Sequence, residues 1–329
     1  MAILNTTNPT LADLIKRQDP DGKIAKIIEM LTATNEILED MPFIEANDGT
    51  GHKTTVRSGL PTGTWRKLNY GVQPEKSTTV QVRDGTGMLE SYAEVDRKLV
   101  DLSKDKAGFM LSEHKAFIEG MNQNMATQLF YGDASINPER ITGLAPRFSS
   151  LSAENGQNIL SAGGTGSNNT SIWLICWDES TCHGIYPEGT QAGLKVGPNK
   201  EETLTDAQGG RYEGYRTHYE WNAGLTLRDW RYVVRVANID VTALTKNAAT
   251  GADLIDMIVQ AIELLPNQRM GRVALYCNRT IRSFLRRQIA NKSNVWLSMS
   301  EVAGRKVLTF DDIPVRRVDA ILNTEARVQ

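Results

Sequence analysis

The sequence predicts an α+β fold with two limbs that extend beyond its main body. Three observations lead there. A helical apolar stripe runs from Ser103 to Phe130, the pattern between Thr54 and Val82 changes to a period of two, and the second half mixes short strands with helices. The chain has 329 residues and 36.5 kDa, so a compact fold would expose roughly 13,500 Å² and bury about three quarters of its surface. With 37 Lys and Arg against 39 Asp and Glu, bulk electrostatics exclude a basic nucleic-acid protein. No run approaches the ~20 apolar residues that span a bilayer, and the start lacks a signal-peptide profile. The expectation is therefore a chain that stays in a cytoplasm and meets no membrane.

From Thr10 to Met41 the pattern is helical, broken at Asp19, Pro20, Asp21 and Gly22. Ile24, Ile27, Ile28, Leu31, Leu38 and Met41 form one apolar stripe with no local partner, which predicts an arm lying on a body elsewhere. Between Thr54 and Val82, Leu68, Tyr70 and Val72 share one parity and Thr78, Val80 and Val82 share the return. With Gln73 to Ser77 as the turn, this reads as a β-hairpin. A lone hairpin is marginal in water, so this one needs a surface to lie on. From Ser103 to Phe130, Ala107, Met110, His114, Phe117, Ile118, Met121, Met125 and Leu129 advance by three and four. Such a helix is about 42 Å long, with Ser103 as its N-cap and Gly132 closing it.

Ser149 to Thr170 reads as a loop. Strands follow at Ser171 to Trp177 and Trp230 to Val236, with polar Gly-containing stretches such as Asp206 to Gly214 between strands. Then come a helix at Ala252 to Leu265 stopped by Pro266, a strand at Val273 to Tyr276 and a helix at Thr280 to Ala290. A last hairpin pairs Val307–Phe310 with Val315–Val318.

Chemistry-bearing residues are sparse. Cys176, Cys182 and His183 suggest zinc by residue type, but a C-x5-C spacing is not a zinc knuckle. The strand parity places Ile172, Leu174 and Cys176 on one apolar face, which favours buried thiols. Three cysteines also fit a reducing compartment. His114 reads as a core or interface histidine. Gly163 to Ser167 lacks the lysine of a phosphate loop. Arg279, Arg282, Arg286, Arg287 and Lys292 make one helix basic, read as a solvated face or a source of salt bridges. No nucleophile elbow and no H-E-x-x-H pair occurs, so no catalytic, cofactor-binding or metal-binding residue is assigned.

Several stretches carry a family resemblance: Asp21–Lys26 (DGKIAK), Thr55–Arg57 (TVR), Gly59–Pro61 (GLP), Trp65–Val72 (WRKLNYGV), Tyr92–Asp96, Gly143–Arg147 (GLAPR), Leu275–Thr280 (LYCNRT) and Asp312–Arg317 (DIPVRR). In wording and order the chain resembles the major capsid proteins of tailed bacteriophages with the HK97-like fold, within the epsilon15-like short-tailed phage group. The resemblance implies an N-arm at 1–46, an extended hairpin (E-loop) at 48–90, and a peripheral domain at 91–150 with its spine helix at 103–130. It further implies an axial domain with the β-rich middle at 151–303, and return strands of the peripheral domain at 304–329.

It implies a structural, non-enzymatic virion protein, made late in the host bacterial cytoplasm. This protein self-assembles into pentamers and hexamers of an icosahedral head around double-stranded DNA, which it binds without sequence specificity. The implied partners are further copies of the chain, a portal, a decoration protein, and a separate scaffolding protein, because the arm has no room for a built-in scaffold. Trp65, Leu68, Tyr70, Val72, Val80 and Val82, with Ile24, Ile27 and Leu31 of the arm, are the expected interface residues. No cross-link through the hairpin lysines Lys67 or Lys76 is expected. The alternatives are an encapsulin-like compartment holding protein cargo and a cytosolic enzyme with a pocket around His183 and His218.

Overall fold

A computed structural model describes residues 8–10, 35–206, 208–246, 251–291, 297–302 and 305–329. The arm residues Ile24, Ile27, Ile28 and Leu31, and Lys292 of the basic helix, lie outside the described residues. The described chain begins with a one-turn helix α1 (Ile37–Asp40), strand β1 (Phe43–Glu45) and the hairpin strands β2 (Gly51–Gly59) and β3 (Thr78–Asp96). Helices α2 (Arg97–Leu102), α3 (Lys106–Tyr131) and α4 (Leu144–Arg147) come next. The β-rich middle holds β4 (Ile159–Ser161), β5 (Asn169–Trp177), β6 (Cys182–Tyr186), β7 (Lys195–Val196), β8 (Lys200–Thr205), β9 (Arg211–Leu227) and β10 (Val233–Asp240). The chain continues through α5 (Leu254–Glu263), β11 (Arg272–Cys277), α6 (Arg279–Asn291), β12 (Leu297–Val302), β13 (Arg305–Phe310) and β14 (Ile313–Arg317).

Strand β5 is the centre of the body. It pairs antiparallel with β10 on one side and with β11 on the other, and all nine of its residues are buried. The period of two explains how: alternate side chains enter different cores. Trp173, Ile175 and Trp177 meet Met121, Met125, Leu129 and Phe130 of α3. Ile172 and Leu174 meet Ile258 and Ile262 of α5 and Ile281 and Leu285 of α6. A strand covered by helices on both faces must be apolar throughout, which is why S-I-W-L-I-C-W has no polar alternation. The expected shared face of Ile172, Leu174 and Cys176 is present, and the opposite face is equally buried.

Helix α3 starts later than expected. Asp105 is its N-cap, accepting from the Gly108 N–H at 2.8 Å, whereas the Ser103 N–H closes α2 on Val100 O. A carboxylate two residues downstream is positioned to take the free N–H of the first turn, so the serine closes one helix and the aspartate opens the next. The helix ends at Gly132, where a Cβ would stand 2.4 Å from the carbonyl oxygen of Ile141. The expected stripe holds at Phe117, Met121, Met125 and Leu129, whereas Ile118 is exposed. In the N-terminal half Ala107 is exposed, and Phe109 is buried instead, packed on Val95, Leu99 and Val100.

Three other expectations are refined. The loop expected over Ser149 to Thr170 contains a 3-10 turn at Glu154–Asn158 and the short strand β4, which pairs parallel with β10. Within the expected strand at Trp230 to Val236, Trp230–Tyr232 is a 3-10 turn capped by Asp229, and β10 begins at Val233. The last hairpin turns at Asp311 and Asp312, whose φ values of 48° and 63° match the right-handed twist of the flanking strands, but only Thr309 and Phe310 pair across it, with Pro314 and Ile313. Val315–Arg317, expected opposite Val307–Phe310, instead pair parallel with β11, and β13 takes β12 as its other partner.

The C-terminal segment serves both cores. Leu308, Phe310, Ile313 and Val315 pack with α5 and α6, while Val318, Ile321 and Val328 pack on the α3 side. The tail is fastened there by Glu325, which is 2.9 Å from Arg235 and accepts from the hydroxyls of Tyr131 and Ser171. Arg235 also donates to Phe148 O at 2.7 Å and lies over the Trp173 ring, so this buried ion pair has its remaining polar atoms engaged.

Candidate assembly surface

The hairpin is built from β2 and β3, with Thr54 opposite Val82 and Val56 opposite Val80. Its outgoing strand is thus Gly51–Gly59, and the expected strand through Leu68, Tyr70 and Val72 is a loop. Pro61, Gly63, Gly71 and Pro74 explain the difference, because proline withholds the N–H a ladder needs and glycine favours turns. The tip is instead closed by a turn with Asn69 at φ 67° and the Tyr70 N–H on Lys67 O, and by the Gly63 N–H donating to Glu75 Oε2 at 3.0 Å.

This loop presents its large side chains to solvent. Trp65 is 101% exposed, Leu68 85%, Tyr70 68% and Val72 48%, and Val80 and Val82 on β3 are exposed as well. The six described residues expected at an interface therefore lie on one protrusion. Leu60, exposed in the same loop, extends this surface and escaped the sequence reading, since a period-two search passes over an isolated apolar residue between a glycine and a proline. Between residues 53 and 83 there are six Lys or Arg and a single carboxylate, Glu75, so the protrusion is cationic on a nearly neutral chain.

The remaining candidates resolve into structural roles. Cys176, Cys182 and Cys277 are buried free thiols, and burial pushes Cys182 and Cys277 up to about 12. Among the described residues no three His, Cys, Asp or Glu side chains converge to hold a metal. His114 is half-buried against the Tyr219 hydroxyl, and desolvation lowers its pKa. His183 and His218 do not form one pocket. His183 is opposite Thr226 on β9, and His218 lies eight residues back along that strand, about 26 Å away at strand rise, stacked on Tyr92 and bonded to Glu90. On the basic helix, Arg279 pairs with Asp319 at 3.0 Å and Arg287 lies over Phe284.

Comparison with known proteins gives a consistent result. The family model for major capsid protein GP7 matches residues 19–329. The solved structure of bacteriophage epsilon15 is 42% identical, covers 100% of this chain and 99% of that chain, and superposes with a TM-score of 0.80. The bacteriophage JBD30 capsid, 11% identical over 96% of this chain and 99% of that chain with a TM-score of 0.51, shares the fold. No curated protein matches. A protruding apolar hairpin, a long helix laid across a doubly covered sheet, and this family match over most of the length agree. The chain belongs to the major capsid protein GP7 family and is a major capsid protein of a phage head with the HK97-like fold.

Proposed function

We propose that the subunit assembles into pentamers and hexamers of an icosahedral head enclosing double-stranded DNA, with the hairpin as its principal reaching limb. The supporting observation is the cluster of exposed Trp65, Leu68, Tyr70 and Val72 on a tip that its own body does not cover. Burying such side chains fully is worth roughly 1.5–3 kcal/mol each, and a neighbouring copy is the surface that recovers it. Head-to-tail contacts of this kind close into rings, and each subunit is then held by several weak interfaces at once. The arm stripe Ile24, Ile27 and Leu31 makes a second contact in this reading.

The α3-side core corresponds to the peripheral domain, and the core around α5 and α6 to the axial domain. A separate scaffolding protein, a portal and a decoration protein complete the particle. DNA is held by enclosure, which a net charge of −2 accommodates without a strongly basic inner surface.

The test removes the limb cleanly. His52 and Asp84 face each other across the two strands, so a two-residue turn can join them in place of residues 53–83. The shortened chain, expressed with scaffold and viewed by negative-stain microscopy, should be soluble and folded yet form no shells. Normal shells from it would overturn the assignment of the hairpin.

A further inference from the structure

Between residues 51 and 85 the hairpin is buried only at its root. Gly51, His52 and Asp84 are buried, while the other residues of both strands whose burial is described are half-exposed or exposed. The root is held by charge. Asp84 is 2.8 Å from Arg147 of α4, and that guanidinium is fixed by the carbonyls of Thr142 and Leu225. His52 Nε2 is 2.8 Å from an Nη2 of Arg228, which follows β9. Arginine only donates, so Nε2 accepts, and His52 is neutral with its proton on Nδ1. His183 of β6, fully buried, stands edge-on beneath His52 with ring centroids 5.8 Å apart.

The groups facing the two imidazoles can be named element by element. Arg228 acts on both rings, Asp84 across the strand pair and Glu179 act on His52, and Asp178 acts on His183. Cys182, next to His183, stays a neutral thiol because burial pushes it up to about 12. Two guanidiniums thus share the root with one buried carboxylate, and a proton on either imidazole would add a third cation. The bonding is also incomplete. His52 Nδ1, Asp84 Oδ2, Thr54 Oγ1, Thr226 Oγ1 and Arg228 Nε are buried without a hydrogen-bond partner, and each such atom destabilises the latched joint. A joint carrying several such costs is stable only narrowly.

We propose that this root cluster is an acid-released latch: with His52 and His183 neutral it holds the paired root of the hairpin against its own body, and protonation of either ring opens the root strands, where His52 pairs with Asp84, and frees the hairpin. The latch belongs to the single subunit and does not depend on where the hairpin docks. Burial, with Arg228, holds His52 below its usual range and brings His183 to about 4. The latched state therefore binds fewer protons than the released one. It is complete above about pH 6.5, the ordinary histidine value, and is lost as the pH falls towards 4. For His183 alone, going from pH 7.5 to 5.0 favours release about thirtyfold.

Hydrogen exchange by mass spectrometry on the soluble full-length chain tests this, with rates corrected for the intrinsic effect of pH. Segments 50–54 and 82–86 should open about thirtyfold more at pH 5.0 than at 7.5, while β5 stays protected at both. H52N with H183N, which cannot titrate, should reduce that ratio to a few-fold. Equal protection of the root at both pH values would overturn the latch, as would a double variant that keeps the full ratio with β5 intact. If the double variant loses β5 protection, H183Q with His52 intact gives the comparison: because His183 supplies the thirtyfold, retention of the full ratio counts against the latch, and a diminished ratio supports it.

Discussion

Strand β5 and the hairpin tip hold similar side chains to opposite ends. In β5, Trp173, Leu174 and Ile175 are completely enclosed, whereas in the tip Trp65, Leu68 and Tyr70 face water. The first set supplies the subunit's own stability. The second is left out of that account and is available to a neighbour. One polypeptide thus separates the apolar surface that makes it fold from the apolar surface that makes it assemble, and the boundary between the two is the polar root around His52 and Asp84.

That separation can be tested one residue at a time. The largest effect is expected at the enclosed end. W173A removes a ring packed between Phe130, Phe148 and Arg235 and should cost about 3–5 kcal/mol in urea unfolding of the soluble subunit. A loss under about 1 kcal/mol would mean that β5 is not the stabilising centre. A smaller effect is expected at the start of the spine helix, where D105A removes the acceptor of the Gly108 N–H and should cost about 1 kcal/mol, read as a lower denaturant midpoint with unchanged slope.

The smallest effect on the subunit is expected at the exposed end. W65A should change unfolding by less than about 0.5 kcal/mol, because the ring touches little in the isolated chain. The same variant should give far fewer shells by sedimentation or microscopy. A W65A chain that is strongly destabilised but assembles normally would reverse the comparison.

Much of the body was legible because its elements repeat a local rule. The α3 stripe from Phe117 to Leu129, the stop at Pro266 after α5, and the Asp311–Asp312 turn each depend on residues within a few positions of one another. Leu68, Tyr70 and Val72 misled for a related reason. Their alternation is that of a strand, but no partner strand is supplied, and the flanking glycines and prolines favour a loop. The apolar surplus of the tip could still be read, since exposure follows from having nothing to pack on. The root cluster could not, because its side chains come from residues 52, 84, 147, 183 and 228 and carry no shared spacing.

The sequence by itself determined the long helix ending at Gly132, the apolar central strand from Ser171 to Trp177 and the helix stopped by Pro266, that the chain carries few candidate catalytic groups, and that its hairpin has more apolar surface than local partners. Periodicity and composition are properties of neighbours along the chain, so they survive without coordinates. Only the tertiary structure decided that β5 is covered on both faces, that the C-terminal tail is pinned by Glu325 to Arg235, and that two histidines meet two arginines and an aspartate under the hairpin. Those outcomes depend on distances between residues remote in sequence, and such distances are set by how the layers pack.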